Sequence, residues 1–330
     1  MMAITDTPLP KANPQGLNAL ASSLLARERG RVAELGIAIE SNALGESWDL
    51  GVHERGGLEA GILLGEICLS GLGKVQVLPN LEDVIPFPLV SVSSDQPLRA
   101  CLLSQYAGWQ IQAGSFFAMG SGPMRAAYGG EKIFKELAAG RTDNHREVIG
   151  VLEAGQLPGP EVMEWIRAKL GRDAKIILLS ASTKSLAGGV QVVARSLETA
   201  LHKMHEIHFP LDAILAGTGV APLPPPAKGT LDAIGRTNDA ILYAGRVVLY
   251  VKTSDELIAE LGPKIPSNAS SMHGQPFGDI LKAAGGDFYK VDPLLFAPAE
   301  VILCNLTSGR SFRFGKRTPG IFLKSCGGPI

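Results

Sequence analysis

The sequence predicts an α+β protein built as two closely associated domains, each mixing helices with strands. Three observations carry that reading. The chain has 330 residues, past the usual size of one compact core, so two cores are expected. Its stretch from 148 to 208 alternates short apolar runs with longer helix-like ones, the pattern of α/β units. Its end reads as two strands joined at Ser308-Gly309, which is antiparallel pairing.

In chain order, Asn13-Pro14 offers an N-cap and a first-turn proline for a helix whose Leu17, Leu20 and Leu24 line one face. Short strands are expected at 35–40 and 47–52, then a helix from Gly57 to Leu69, then strands at 74–78, 88–93 and 108–113. The stretch from Gly129 to Arg146 reads as a helix and loop that ends the first unit, which gives a provisional N-terminal domain at 1–146. The second domain, 147–330, is allowed to intertwine with the first. It opens with a strand at 148–153, a helix at 160–170, a strand at 175–179 and one long helix at 186–208. Strands follow at 240–251, 297–307 and 310–314. Four prolines within Pro222 to Pro226 exclude a helix interior or central strand, leaving a stiff connection or pocket wall.

Composition narrows the function classes. The 31 basic and 32 acidic side chains nearly cancel, so no global field favours nucleic acid or an anionic membrane. A small-molecule partner is expected. Cys68, Cys101, Cys304 and Cys326 are far apart with no CxxC pair, which removes the usual zinc and redox spacings and fits reduced thiols in a cytoplasmic protein. No secretory pattern opens the sequence and no apolar run reaches about 18 residues, so no membrane span is expected.

Two places invite chemistry. From Phe117 to Arg125 the chain reads as a strand end, a glycine turn and a helix opening at Pro123. Free N–H groups there would favour an anion, with Arg125 as a nearby cation. Spacing alone favours a structural turn, and the segment is neither a Walker loop nor GxGxxG. On the long helix, Val190, Val193, Leu197, Leu201 and Met204 form an apolar face, with Gln191, Arg195, Glu198, His202 and His205 beside it. A pocket that desolvates this stripe makes Glu198 a general base on water, with Arg195 holding or orienting it. Spacing alone favours a solvated ion pair. His202, His205 and His208 rotate round the helix without a Cys or carboxylate cluster, so no metal is expected.

Taken together, Tyr106-Ala107-Gly108-Trp109, Phe117-Ala118-Met119-Gly120-Ser121-Gly122-Pro123, Thr237-Asn238-Asp239 and Leu242-Tyr243-Ala244-Gly245 resemble the methenyl-tetrahydromethanopterin cyclohydrolases. The likeness continues through Pro266-Ser267, Gly274-Gln275-Pro276-Phe277, Asp287-Phe288-Tyr289-Lys290 and Phe296-Ala297-Pro298-Ala299, and so covers about residues 30 to 325. Departures from the family pattern are Ser182-Thr183-Lys184, Ala194 where a glycine stands, and the histidine-rich helix end.

That resemblance implies hydrolysis of the methenyl form of a tetrahydromethanopterin-type carrier to its formyl form, in a cleft between the two domains. It implies no tightly bound cofactor, no metal, and a homotrimer. The family's Arg and Glu, three residues apart on a helix, match Arg195 and Glu198. Met119, Gly120, Ser121, Gly122, Arg125 and Gln191 become candidates for holding the pterin or its anionic tail, with Asn238 and Asp239 as polar contacts. A formyltransferase or dehydrogenase on the same carrier is the weaker enzymatic reading; a dehydrogenase would need a nicotinamide site, and no motif supplies one. A non-catalytic carrier-binding or assembly protein is the alternative from another class.

Overall fold

The computed structural model describes residues 16–81, 84–137 and 143–327. Helix α1 (Leu17–Glu28) and the short α2 (Val32–Leu35) lead into β1 (Ala38–Asn42), β2 (Gly45–Asp49) and α3 (Leu58–Cys68). Then come β3 (Lys74–Leu78), β4 (Leu89–Ser94), a π-helix (Leu98–Gln105), β5 (Trp109–Ala113), β6 (Phe116–Ser121), α4 (Met124–Tyr128) and α5 (Lys132–Glu136). The next stretch holds β7 (Glu147–Glu153), α6 (Pro160–Leu170), β8 (Lys175–Ala181), α7 (Leu186–Val193), α8 (Ser196–Glu206) and β9 (Ile214–Pro222). The chain closes with α9 (Thr230–Ala244), β10 (Arg246–Val251), α10 (Asp255–Leu261), α11 (Phe277–Ala283), β11 (Glu300–Asn305), β12 (Ser311–Gly315) and α12 (Pro319–Ser325).

The described residues form two six-stranded mixed sheets, in the orders β1-β2-β8-β7-β6-β5 and β12-β11-β10-β9-β4-β3. The fold is therefore α+β with two sheet-based units. In the first sheet β2, β8 and β7 are parallel and both faces are covered, so β7 and β8 read as near-continuous apolar runs. Ile149, Val151, Ile177 and Leu179 face α1 and α3, while Val148, Leu152, Ile176 and Leu178 face α6. In the second sheet Val90, Val92, Val247, Leu249, Val301 and Leu303 are buried. Their alternates Ser91, Ser93, Val248, Tyr250, Ile302 and Arg313 are half-buried or exposed, the alternation of a sheet covered on one face. The division between the sheets does not fall at the expected boundary, 146. Strands β3 and β4 precede that residue but lie in the second sheet, and β7 and β8 follow it but lie in the first.

Several expectations need correction. The helix expected over 186–208 is two helices, interrupted at Ala194-Arg195, where Arg195 N–H bonds back to Val192 O at 3.1 Å instead of one residue further. Ala240–Ala244, read as strand, is the last turn of α9; an apolar run buried on all sides has no periodicity to separate helix from strand. Strand β9 gave no strand signal because Gly217 and Gly219 interrupt it. A Cβ at 217 would lie 2.7 Å from Leu197 Cδ1, and one at 219 would lie 2.5 Å from Ser196 Oγ. These glycines let α8 approach the sheet closely. Pro222, which the proline run kept out of any central strand, is the last residue of β9, between β4 and β10. Strand β1 begins at Ala38, because Leu35 ends α2.

Asn13-Pro14 lies outside the described residues, as do 138–142 of the expected helix and loop. The first turn of α1 is held from elsewhere: Asp143 Oδ2 accepts from Asn18 N at 2.5 Å. The Ser308-Gly309 turn joins the antiparallel β11 and β12, with Gly309 at φ +75°.

Helix α7, which leads into the break, crosses α3 at Gly61. A Cβ there would sit 2.6 Å from Val190 Cβ and 2.9 Å from the backbone oxygen of Ala187. Gly61→Ala gains about 1 kcal/mol of helix propensity but overpacks this crossing, for a net loss of about 1–2 kcal/mol. The expected readout is a lower urea midpoint with an unchanged slope; an unchanged midpoint would show that the crossing is slack.

Candidate functional site

The end of β6, the end of the π-helix, the end of α3 and the α7–α8 break meet around one buried arginine. Gln105 Nε2 donates to Ala194 O at 3.2 Å, supplying a donor to a carbonyl at the helix interruption. Gln105 O accepts in turn from Arg195 Nη1 at 2.6 Å. Arg195 Nη2 donates to Ser121 Oγ at 3.1 Å, and Ser121 Oγ donates to Val151 O at 3.2 Å. Cys68 Sγ lies 3.4 Å from Ser121 Oγ, and Gln191 Nε2 donates to Cys68 Sγ at 3.7 Å. Arg195, Glu198, Ser121 and Gln191 are thus brought together.

Arg195 and Glu198 are 8% and 4% exposed, so they are not the solvated surface pair that spacing alone favours. Their closest approach, 3.9 Å between Nη1 and Oε2, is longer than a charge-assisted hydrogen bond. Burial raises the Glu198 carboxyl to about 7, although Arg195 and Arg125 both pull it down. Desolvation outweighs the two cations because neither makes a hydrogen-bonded contact with it. The same burial, reinforced by the Glu198 charge, pushes the Tyr106 hydroxyl up to about 12. His202 stacks on the Tyr106 ring at 4.6 Å, and burial lowers it to about 4, so it stays neutral.

Other expected site residues stand in structural roles or elsewhere. Gly120 makes room for Met124, whose Cε would lie 2.4 Å from an added Cβ. Gly122 has φ +86°, which favours glycine, and donates to Ser104 O at 2.9 Å. Met119 is half-buried on β6, paired with Gln110 and Glu153. Arg125 is fully buried: its guanidinium donates to Glu131, Leu102 O and Ser104 O and lies 5.0 Å from the centroid of Tyr106. Asn238 donates to Ile234 O within α9 at 2.9 Å, and Asp239 Oδ1 accepts from Phe277 N at 2.8 Å. Neither is joined to Arg195 or Glu198 by a hydrogen bond or ion pair among the described residues. Gln105, Cys68 and Tyr106 were not singled out from sequence; the one signal near them was the Tyr106-Ala107-Gly108-Trp109 phrase.

The helix histidines diverge, His202 onto Tyr106 and His205 onto Glu136 at 3.0 Å. Among the described residues no group of three or more His, Cys, Asp or Glu is placed to hold a metal ion. No helix among them is long and apolar enough to cross a membrane.

The cyclohydrolase (MCH) family model matches residues 16–326. The chain belongs to that family. Among its relatives, the methenyltetrahydromethanopterin cyclohydrolase of Methylobacillus flagellatus is 46% identical over 273 residues, 81% of this chain and 82% of the relative. The protein of that name from Xanthobacter autotrophicus is 47% identical over 281 residues, 85% and 83% of the two chains. The one from Methanospirillum hungatei is 41% identical over 280 residues, 84% and 88%. The family match runs through both sheets of this cyclohydrolase-family chain, the helix break included.

A second buried carboxyl of this family member is raised as Glu198 is. Asp239 is fully buried, its Oδ2 has no hydrogen-bond partner among the described residues, and burial raises it to about 7. Ser325 lowers it only in part, since its hydroxyl donates to Phe322 O at 2.8 Å. A carboxyl raised on folding means that the native state holds more protons than the unfolded chain between about pH 4 and 7, so this group's contribution to stability falls as pH rises through that window. Asp239→Asn keeps the acceptor for Phe277 and removes the charge. Its melting temperature is expected to exceed wild type on the order of 5 °C at about pH 8 and to match it at about pH 4; an equal difference at both would assign the effect to packing.

Proposed function

We propose that this chain interconverts the methenyl and formyl forms of a tetrahydromethanopterin-type carrier by adding water, with Glu198 as proton shuttle. The observation that carries this reading is a desolvated carboxyl near 7, held close to but out of contact with Arg195. The methenyl carbon bridges two nitrogens and shares their positive charge, so it is already electrophilic. Water is the weak partner, and a base of near-neutral affinity is what its activation requires. As the water oxygen bonds to carbon, Glu198 takes a proton from it. The carbon–nitrogen bond then breaks with its electron pair going to nitrogen, which receives a proton from Glu198. The remaining hydroxyl proton leaves to solvent as the formyl C=O forms, so charge and atoms balance. This chemistry calls on no tightly bound cofactor.

Arg195 keeps the charge of the site near balance when a cationic substrate arrives, because the arginine and the ionised glutamate cancel. Gln191, joined to the cluster through Cys68, and Met119, two residues before Ser121 on β6, are the remaining candidates for contact with the pterin. The assembly in this proposal is a homotrimer, as the family resemblance implies. The half-exposed face of the second sheet, with Val248, Ile302 and Tyr250, is the surface offered to another copy. Sedimentation should give three times the monomer mass for wild type and a lower mass for Val248→Glu; a monomeric wild type removes the trimer.

The decisive assay follows loss of the methenyl carrier's near-ultraviolet absorbance, without added metal or nicotinamide. Wild type should turn over with activity falling as pH drops below about 7, because protonation of Glu198 removes the base. Glu198→Gln should be slower by at least about 100-fold and lose that acid limb. Carrier binding without wild-type turnover would favour the non-catalytic carrier-binding protein. Equal rates would keep the enzyme and remove Glu198 from its role.

A further inference from the structure

Residues three apart on a helix are within reach of each other, and an arginine free to do so closes on a buried glutamate. Arg195 does not. Its Nη1 is 2.6 Å from Gln105 O and 3.9 Å from Glu198, and its Nη2 is 3.1 Å from Ser121 Oγ. The direction of the polar chain explains why Ser121 accepts. Its own hydrogen goes to Val151 O, and the buried thiol of Cys68, backed by Gln191, lies against the same oxygen. Both lone pairs of the hydroxyl are then matched by donors.

We propose that Ser121 is a positioning residue: its hydroxyl and the Gln105 carbonyl form a two-point clamp that holds Arg195 out of contact with Glu198. The functional consequence rests on the reading of Glu198 as proton shuttle; the clamp itself rests on the geometry. The charged and titratable groups around Glu198 are Arg195 and His202 along its own helices, Arg125 from α4, Tyr106 and Cys101 from the π-helix side, and Cys68 from α3. Arg125 is tied to Glu131 and two carbonyls, and the tyrosine and thiols are pushed toward their neutral forms by burial. Arg195 is therefore the cation whose position the clamp controls. Without the Ser121 hydroxyl, Nη2 is left buried without an acceptor, and the nearby carboxylate is its best replacement. A contact pair would favour the ionised glutamate and weaken it as a base.

The test titrates Glu198 directly by difference infrared spectroscopy of the carrier-free protein, with Glu198→Gln assigning the carboxyl band. Wild type, Ser121→Ala and Ser121→Thr are compared from about pH 5 to about pH 9, and native packing is checked by near-ultraviolet circular dichroism. Ser121→Ala should lower the midpoint by about 1 unit, reduce kcat at about pH 9, where the carboxyl is ionised in both proteins, about 3-fold, and leave KM within about 2-fold. Ser121→Thr, which keeps the hydroxyl, should restore both. An unchanged midpoint in Ser121→Ala overturns the clamp, and so does a raised KM with kcat retained, which would make Ser121 a substrate contact. A folded Ser121→Thr that behaves like the alanine variant also overturns it. Should Glu198→Gln turn over like wild type, the shuttle reading fails, while the infrared midpoint still decides the clamp.

Discussion

Burying a carboxyl beside an arginine without letting the two touch is the constraint around which this structure is arranged. A fully desolvated glutamate is unfavourable in its charged form, and a contact ion pair would be the ordinary relief. Here relief comes partly from the helix interruption. Had 186–208 been one helix, Glu198 would lie in its interior; the break makes it a first-turn residue of α8, where the exposed N–H end favours negative charge. The interruption leaves backbone groups needing partners; the Gln105 side-chain amide donates to one of them, Ala194 O, while its own backbone carbonyl accepts from the Arg195 guanidinium.

The two sheets serve this arrangement in different ways. Helix α7 packs on α3 through Gly61, which lies in the layer covering the first sheet, while α8 packs on β9 of the second sheet through Gly217 and Gly219. The break between α7 and α8 therefore joins the two units. Small residues on both sides bring backbone within contact distance, so main-chain packing fixes where the side chains of Arg195 and Glu198 start. Strand β6 completes the enclosure: Ser121 at its end faces Arg195, and the Gly122 turn follows at once. The glycine turn, for which spacing alone favours a structural role over an anion site, is thus preceded by a serine whose hydroxyl accepts from a guanidinium of the same chain.

What was legible in the sequence is what local pattern determines. The apolar runs of β7 and β8, the 160–170 helix and the terminal hairpin carry their own periodicity or turn residues. The Arg195 and Glu198 stripe was visible as spacing, but spacing cannot report solvent, so burial had to come from the fold. The break at Ala194 was illegible because both residues there are compatible with helix, and the donor that stabilises the interruption arrives from Gln105, 89 residues away in sequence. Strand β9 was illegible for the opposite reason: its glycines look like loop until α8 is placed against them. Arg125 looked like a free cation because its partners are Glu131, beyond the end of α4, and Leu102 and Ser104, on the π-helix two strands earlier, and only the folded chain shows its donors engaged.

Two buried acids, Glu198 and Asp239, are both raised to about 7, so proton affinity alone does not distinguish a chemical group from a structural one. Their surroundings do. Asp239 has one oxygen fixed on Phe277 N at the start of α11, with no cation held beside it among the described residues. Its charged form is favoured by that bond and in part by Ser325, and by no cation. Glu198 has an arginine fixed 3.9 Å away by other acceptors and a helix end beneath it, so both its protonated and its ionised forms have support. A group that must alternate between the two forms during one reaction needs both to be accessible near neutral pH. That requirement, and not the size of the shift, is what favours Glu198 over Asp239 for the proton transfer we propose, while Asp239 docks α11 onto α9.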